Sequence, residues 1–130
     1  MAKLTQEQLL EIFNALKTLI KPYEKGVLRP HIDIEGKYDL WAHKSALVQG
    51  RQYNEFSFVS VILQSNYVGF YFMPIYTNPP EVTPLISPGL LKHLKGKSCF
   101  HIKKVDAELL KDVKAAMKVG FAQYKKNGWV

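Results

Sequence analysis

The chain has 130 residues, 47% of them hydrophobic and 22% charged, a balance that fits one globular domain burying about two thirds of its unfolded surface. No apolar run approaches the roughly 18 residues of a membrane span, and Gln6, Glu7, Gln8 and Glu11 interrupt the N-terminus where a secretory signal needs an apolar core. A single cysteine, Cys99, excludes an internal disulfide and suits a reducing compartment, so the expectation is a cytoplasmic protein with no membrane contact.

The net charge of +7 is lopsided: residues 92–130 hold ten lysines against Asp106, Glu108 and Asp112, whereas residues 1–91 are balanced. A cationic end can attract phosphate or nucleic acid. Lysine without arginine, however, lacks the forked donors best matched to phosphate. Lys95, Lys97, Lys103 and Lys104 are the candidate anion-binding residues, and nucleic acid is expected to bind weakly and non-specifically, vanishing near physiological salt.

Thr5 followed by Gln8 is a capping box. Leu9, Ile12, Phe13, Leu16, Leu19, Ile20 and Tyr23 then recur at helical spacing, and Pro22 should end the helix near Ile20. Leu28–Ile34 and Lys37–Lys44 read as a hairpin around Glu35-Gly36, with Pro30 placing the first strand at a sheet edge. Ser45–Asn54 reads as a polar loop.

Phe56–Leu63 and Tyr67–Tyr76 are two strands around Gln64-Ser65-Asn66. Thr77–Ser87, with Pro79, Pro80 and Pro84, reads as an extended connection lying over the sheet or its edge. Ser87-Pro88 opens a short helix that Gly96 should stop, Ser98–Lys103 reads as a fifth strand, and Asp106 caps a final helix ending before Gly128. The expected fold is α+β: an antiparallel sheet of about five strands with the N- and C-terminal helices packed on one face, which bears Val68, Phe70, Phe72, Phe100 and Ile102.

The central hairpin has no polar face. By strict alternation Phe56, Phe58 and Ile62 oppose Val59, Val61 and Leu63, while Val68, Phe70 and Phe72 oppose Tyr67, Tyr71, Met73 and Ile75. If neighbouring strands pair in phase, Trp41, His43, Tyr67, Tyr71, Met73, Cys99 and His101 share the second face, making them the candidate ligand-binding residues. That face would be sealed in a homodimer, or form an amphipathic groove roofed by the Pro79–Pro84 segment. The chain is thus expected to be a monomer or a homodimer.

Other constellations are weaker. Gly96-Lys97-Ser98 lacks the earlier glycine and the strand-to-helix order of a phosphate loop. Cys99, His101 and His43 could hold zinc or iron only with a further ligand. Asp33, Glu35 and Asp39 could form a weak cation site, but turn solvation accounts for them equally well. No pair of carboxylates stands out as general acid and base, and the chain reads as non-enzymatic.

Three stretches carry a resemblance: Tyr67–Tyr76 (YVGFYFMPIY), Ser87–Lys104 (SPGLLKHLKGKSCFHIKK) and Gly120–Tyr124 (GFAQY). In this order they resemble the YdhG-like bacterial domain of unknown function. The resemblance implies a frataxin-like α+β fold, and one branch of that family is described as an intracellular iron chaperone. Frataxin-like iron binding uses an acidic ridge on the first helix and adjoining strand; here the first helix offers Glu7 and Glu11, with Lys17 and Lys21 beyond.

Overall fold

In a computed structural model that describes residues 3–130, Thr5 caps the first helix, α1 (Gln6–Ile20). The Thr5 side chain accepts from Gln8 N and the Gln8 side chain accepts from Thr5 N, a complete capping box. Leu9, Ile12, Phe13, Leu16 and Ile20 form its buried stripe, and a 3-10 turn over Lys21–Tyr23 ends it at Pro22.

β1 (Leu28–Ile34) and β2 (Lys37–Ala42) form the first hairpin. Gly36 supplies the positive φ (86°) of its turn. Residues 45–54, expected to be a loop, instead contain a second hairpin, β3 (Ala46–Val48) and β4 (Arg51–Tyr53). Its two turn residues, Gln49 and Gly50, both have positive φ (51° and 80°), as a tight turn matching strand twist requires. Ala46 and Val48 reach the core.

β5 (Phe56–Leu63) and β6 (Val68–Phe72) follow. The apolar run does not continue as a strand to Tyr76. Met73–Thr77 is a short helix, α2, because Pro74 has no N–H for a sheet ladder but fits a first helical turn. The proline-rich segment is helical as well: α3 (Pro79–Val82) precedes a 3-10 turn over Thr83–Leu85.

Ser87 caps α4 (Pro88–Leu91), accepting from Leu90 N. Gly96 is not the cap of this helix: with φ at 80° it turns the chain between β7 (Leu94–Lys95) and β8 (Cys99–Ile102). Asp106 caps α5 (Ala107–Lys126) by accepting from Leu109 N.

Six strands, one more than expected, form an antiparallel sheet in the order β1-β2-β5-β6-β8-β7. Pro30 lies on the edge strand β1, next to an irregularity between Pro30 and Ile32. α1 and α5 pack together on one sheet face, and α2, α3 and α4 all contact α5. The helices therefore form a single layer. The core between the layers contains Val68, Phe70, Phe72, Phe100 and Ile102, all fully buried.

A bulge on β5 corrects the expected faces. Leu40 pairs with Val59 and Trp41 with Ser57, leaving Phe58 unpaired. The extra residue resets the alternation. Phe58 is fully buried, its ring 5.0 Å from that of Tyr124. Val59 and Val61, opposite Phe72 and Phe70, are fully buried too. Phe58 and Val59 thus both serve the core, while Ser57, Ser60 and Ile62 fall on the outer face. Tyr124 Oη donates to Ser57 O at 2.7 Å, so its buried hydroxyl is satisfied where the bulge begins.

Candidate functional site

The outer sheet face is assembled by register. β6 pairs with β8 so that Gly69 faces His101 and Tyr71 faces Cys99. Just before β6, the Tyr67 ring stacks on His101 at 3.8 Å and 10°. The ring of Tyr71 lies over Gly69: a Cβ there would come within 2.7 Å of it. Glycine inside a strand thereby makes room for a side chain lying along the sheet. Gln64 Nε2 donates to Tyr71 Oη at 3.3 Å, fixing the ring's far end.

Tyr71, Cys99 and His101 are each shifted towards the neutral form. Burial pushes the Tyr71 phenol up, helped by Cys99. Burial also raises the Cys99 thiol, outweighing the opposing hydrogen bond with Tyr71. His101 titrates below its ordinary value because of burial first and then the charges of Lys95 and Lys103. The result is an aromatic platform of tyrosine rings and an imidazole with two ammonium groups nearby. It can stack a planar group and bind an anionic substituent, but it has no activated nucleophile, since thiol and phenol are both held protonated.

Four of the seven expected ligand-binding residues come together: Tyr67, Tyr71, Cys99 and His101. The other three do not join them. Trp41 lies on β2, two strands from Tyr71, and stacks on His31 at 4.4 Å and 20°. Its Nε1 is shielded from solvent and has no hydrogen-bond partner among the described residues. His43 follows β2, and its Nδ1 lies 2.9 Å from a Glu55 carboxylate oxygen. Met73 opens α2.

The expected roof is not there either. The proline segment docks on α5, where Glu81 pairs with Lys126 at 3.4 Å and Asn127 Nδ2 donates to Asn78 Oδ1 at 2.9 Å.

The four candidate lysines are also divided. Lys95 and Lys103 act on His101, Lys97 borders a separate cleft, and Lys104 lies beside Asp106 and Glu108 where α5 begins. The acidic residues around the first turn do not converge. Asp33 pairs with Lys17 on the helix side, and Asp39 accepts from Ser60 on the outer side. Among the described residues, no three His, Cys, Asp or Glu side chains are placed to hold a metal ion. No helix is long and apolar enough to cross a membrane, again among the described residues.

Sequence reasoning missed Gly69, Gln64 and His31. Of these, only Gly69 carried a signal, as a glycine inside an otherwise bulky strand.

No protein-family model, no curated protein and no solved structure matches the chain.

Proposed function

We propose that the protein is a non-enzymatic binding module that takes a small planar ligand on its outer sheet face, through Tyr67, Tyr71, Cys99 and His101. The observation that carries this reading is the Tyr67–His101 stack beside a Tyr71 ring laid over Gly69, on the face away from the helix layer. Stacking of a flat ligand on such rings contributes about 1–3 kcal/mol per ring, judged from nucleobases on aromatic side chains. Lys95 and Lys103 favour a ligand that also carries negative charge.

We further read the fold as frataxin-like and YdhG-like. Two long helices on one face of an antiparallel sheet support this, together with the three stretches quoted above. Iron handling, the activity this resemblance implies, has no convergent ligand set among the described residues to favour it, so the planar-ligand reading comes first.

Calorimetric titration with a panel of planar anions (a purine nucleotide, a flavin nucleotide and an aryl carboxylate) tests the proposal. Saturable binding by at least one of them is expected, and Tyr67→Ala or Gly69→Ala should weaken it without unfolding the protein. Two results refute the reading. One is saturable iron binding with no response to the panel. The other is a sheet-to-sheet dimer in sedimentation that Tyr71→Ala dissociates.

A further inference from the structure

We propose that a second site, distinct from the outer face, binds a small monocarboxylate with an apolar body. A cleft of about 480 Å³ lies where the β3–β4 turn, α2, the start of α3 and the β7–β8 turn meet. Its volume falls within the roughly 300–1,000 Å³ of small-molecule sites. Ile75, Leu94 and Pro79 supply apolar surface, and Ile75 is almost completely buried. Around them stand Lys97, Tyr76, Thr83 and Gln49.

The polar members select the ligand. Among the described residues, none of these four side chains has an intramolecular hydrogen bond or ion pair. The neighbouring polar side chains are already engaged: Thr77 Oγ1 donates to Pro74 O and Asn78 Oδ1 accepts from Asn127. Glu81, the acid of α3, is paired with Lys126, and among the described residues no carboxylate pairs with Lys97.

One ammonium beside neutral hydroxyls and an amide matches a single negative charge. A phosphate dianion would call for more cations or a forked guanidinium, and no arginine lines the cleft. The apolar surface next to the cation calls for a ligand whose remaining atoms are hydrocarbon or aryl. Gln49, whose positive φ the β3–β4 turn requires, forms part of the cleft wall.

Decanoate is a suitable probe, with decanol as its uncharged counterpart, titrated calorimetrically into the wild-type chain. Saturable one-to-one binding of decanoate is expected. Loss of the charge-assisted contact in Lys97→Gln should weaken it by about two- to fivefold, the yield of an exposed ion pair, and decanol should bind wild type correspondingly less tightly. Tyr76→Phe should produce a smaller loss.

Circular dichroism should show each variant folded, Lys97→Gln in particular because Lys97 is exposed. Tyr67→Ala, on the outer face, should leave decanoate binding unchanged, so failure of the planar-ligand reading and failure of this one are separable. The proposal is overturned if folded wild type shows no saturable decanoate binding. It is also overturned if Lys97→Gln binds decanoate as wild type does, or if decanol binds as tightly as decanoate.

Discussion

Gly120→Ala tests how α5 sits on the sheet. In a helix interior, replacing glycine by alanine normally stabilises by about 1 kcal/mol, because the glycine backbone loses more freedom on folding. At Gly120 a Cβ would lie 2.7 Å from Phe72 Cζ, 2.8 Å from Phe72 Cε1 and 2.8 Å from Pro74 Cγ. Phe72 is fully buried and Pro74 belongs to a packed helix, so neither can give way freely. Overpacking of this kind costs about 1–3 kcal/mol. With three contacts below 3 Å the upper half of that range applies, and the propensity gain offsets only part of it.

The expected net loss is about 1–2 kcal/mol, or roughly 4–8 °C in Tm for a domain of this size. Urea denaturation should show a lower midpoint with an unchanged slope. In a Phe72→Leu background, where the two ring contacts are gone and only the one with Pro74 remains, the same substitution should cost markedly less, which makes the coupling measurable as a double-mutant cycle. If Gly120→Ala stabilises the wild-type chain by about 1 kcal/mol, α5 does not rest on Phe72 and the helix layer is wrongly seated.

Phe70→Ala and Phe100→Ala each empty a fully buried site and should cost about 3–5 kcal/mol; wild-type melting by both would invert the two sheet faces. Gly69→Ala should change stability by about 1 kcal/mol or less, because the atoms it meets belong to a partly buried tyrosine ring whose displacement breaks only the long hydrogen bond from Gln64; the same displacement should weaken planar-ligand binding. His93 and His101 both titrate below the ordinary value of 6.5, so below that pH the unfolded chain takes up protons that the native chain refuses. Stability should therefore be fully present above about pH 6.5 and fall as the pH drops towards the depressed native values; a His93→Gln/His101→Gln variant should flatten the urea-midpoint profile. Cys99, with its thiol pushed up by burial, should be alkylated by iodoacetamide more slowly at pH 7.5 than a free cysteine, and equal rates would contradict that environment.

Elements with strong local chemistry were legible in the sequence. Thr5 and Gln8, Pro22, Glu35-Gly36, Ser87-Pro88 and Asp106 each carry a mechanism that acts within a few residues, and the helices and first hairpin begin or end where these residues require. Features depending on one extra or displaced residue were not legible. Alternation through Phe56–Leu63 cannot reveal that Phe58 is extra, because the bulge exists only relative to β2. Gln49-Gly50 is a weaker turn signal than Asn-Gly, and three-residue strands are too short to alternate visibly. Met73–Tyr76 has strand-like composition, yet one missing N–H at Pro74 outweighs it. The outer-face cluster was partly legible because Tyr71, Cys99 and His101 depend only on antiparallel phase between adjacent strands. Trp41 and His43 failed because sharing a face does not bring strands two apart into contact.

The two margins of the large sheet bear on how this protein behaves when crowded. β1 offers an outer ladder interrupted by Pro30 and by the irregularity beside it, while β7 offers only Leu94 and Lys95 before Gly96 turns the chain away. A proline cannot donate, a kinked strand cannot stay in register with a stranger, and two residues ending in lysine are too short and too charged to template a third chain. Lateral growth into a continuous intermolecular sheet is thus disfavoured at both ends. Concentrated or refolding samples should consequently resist fibril formation.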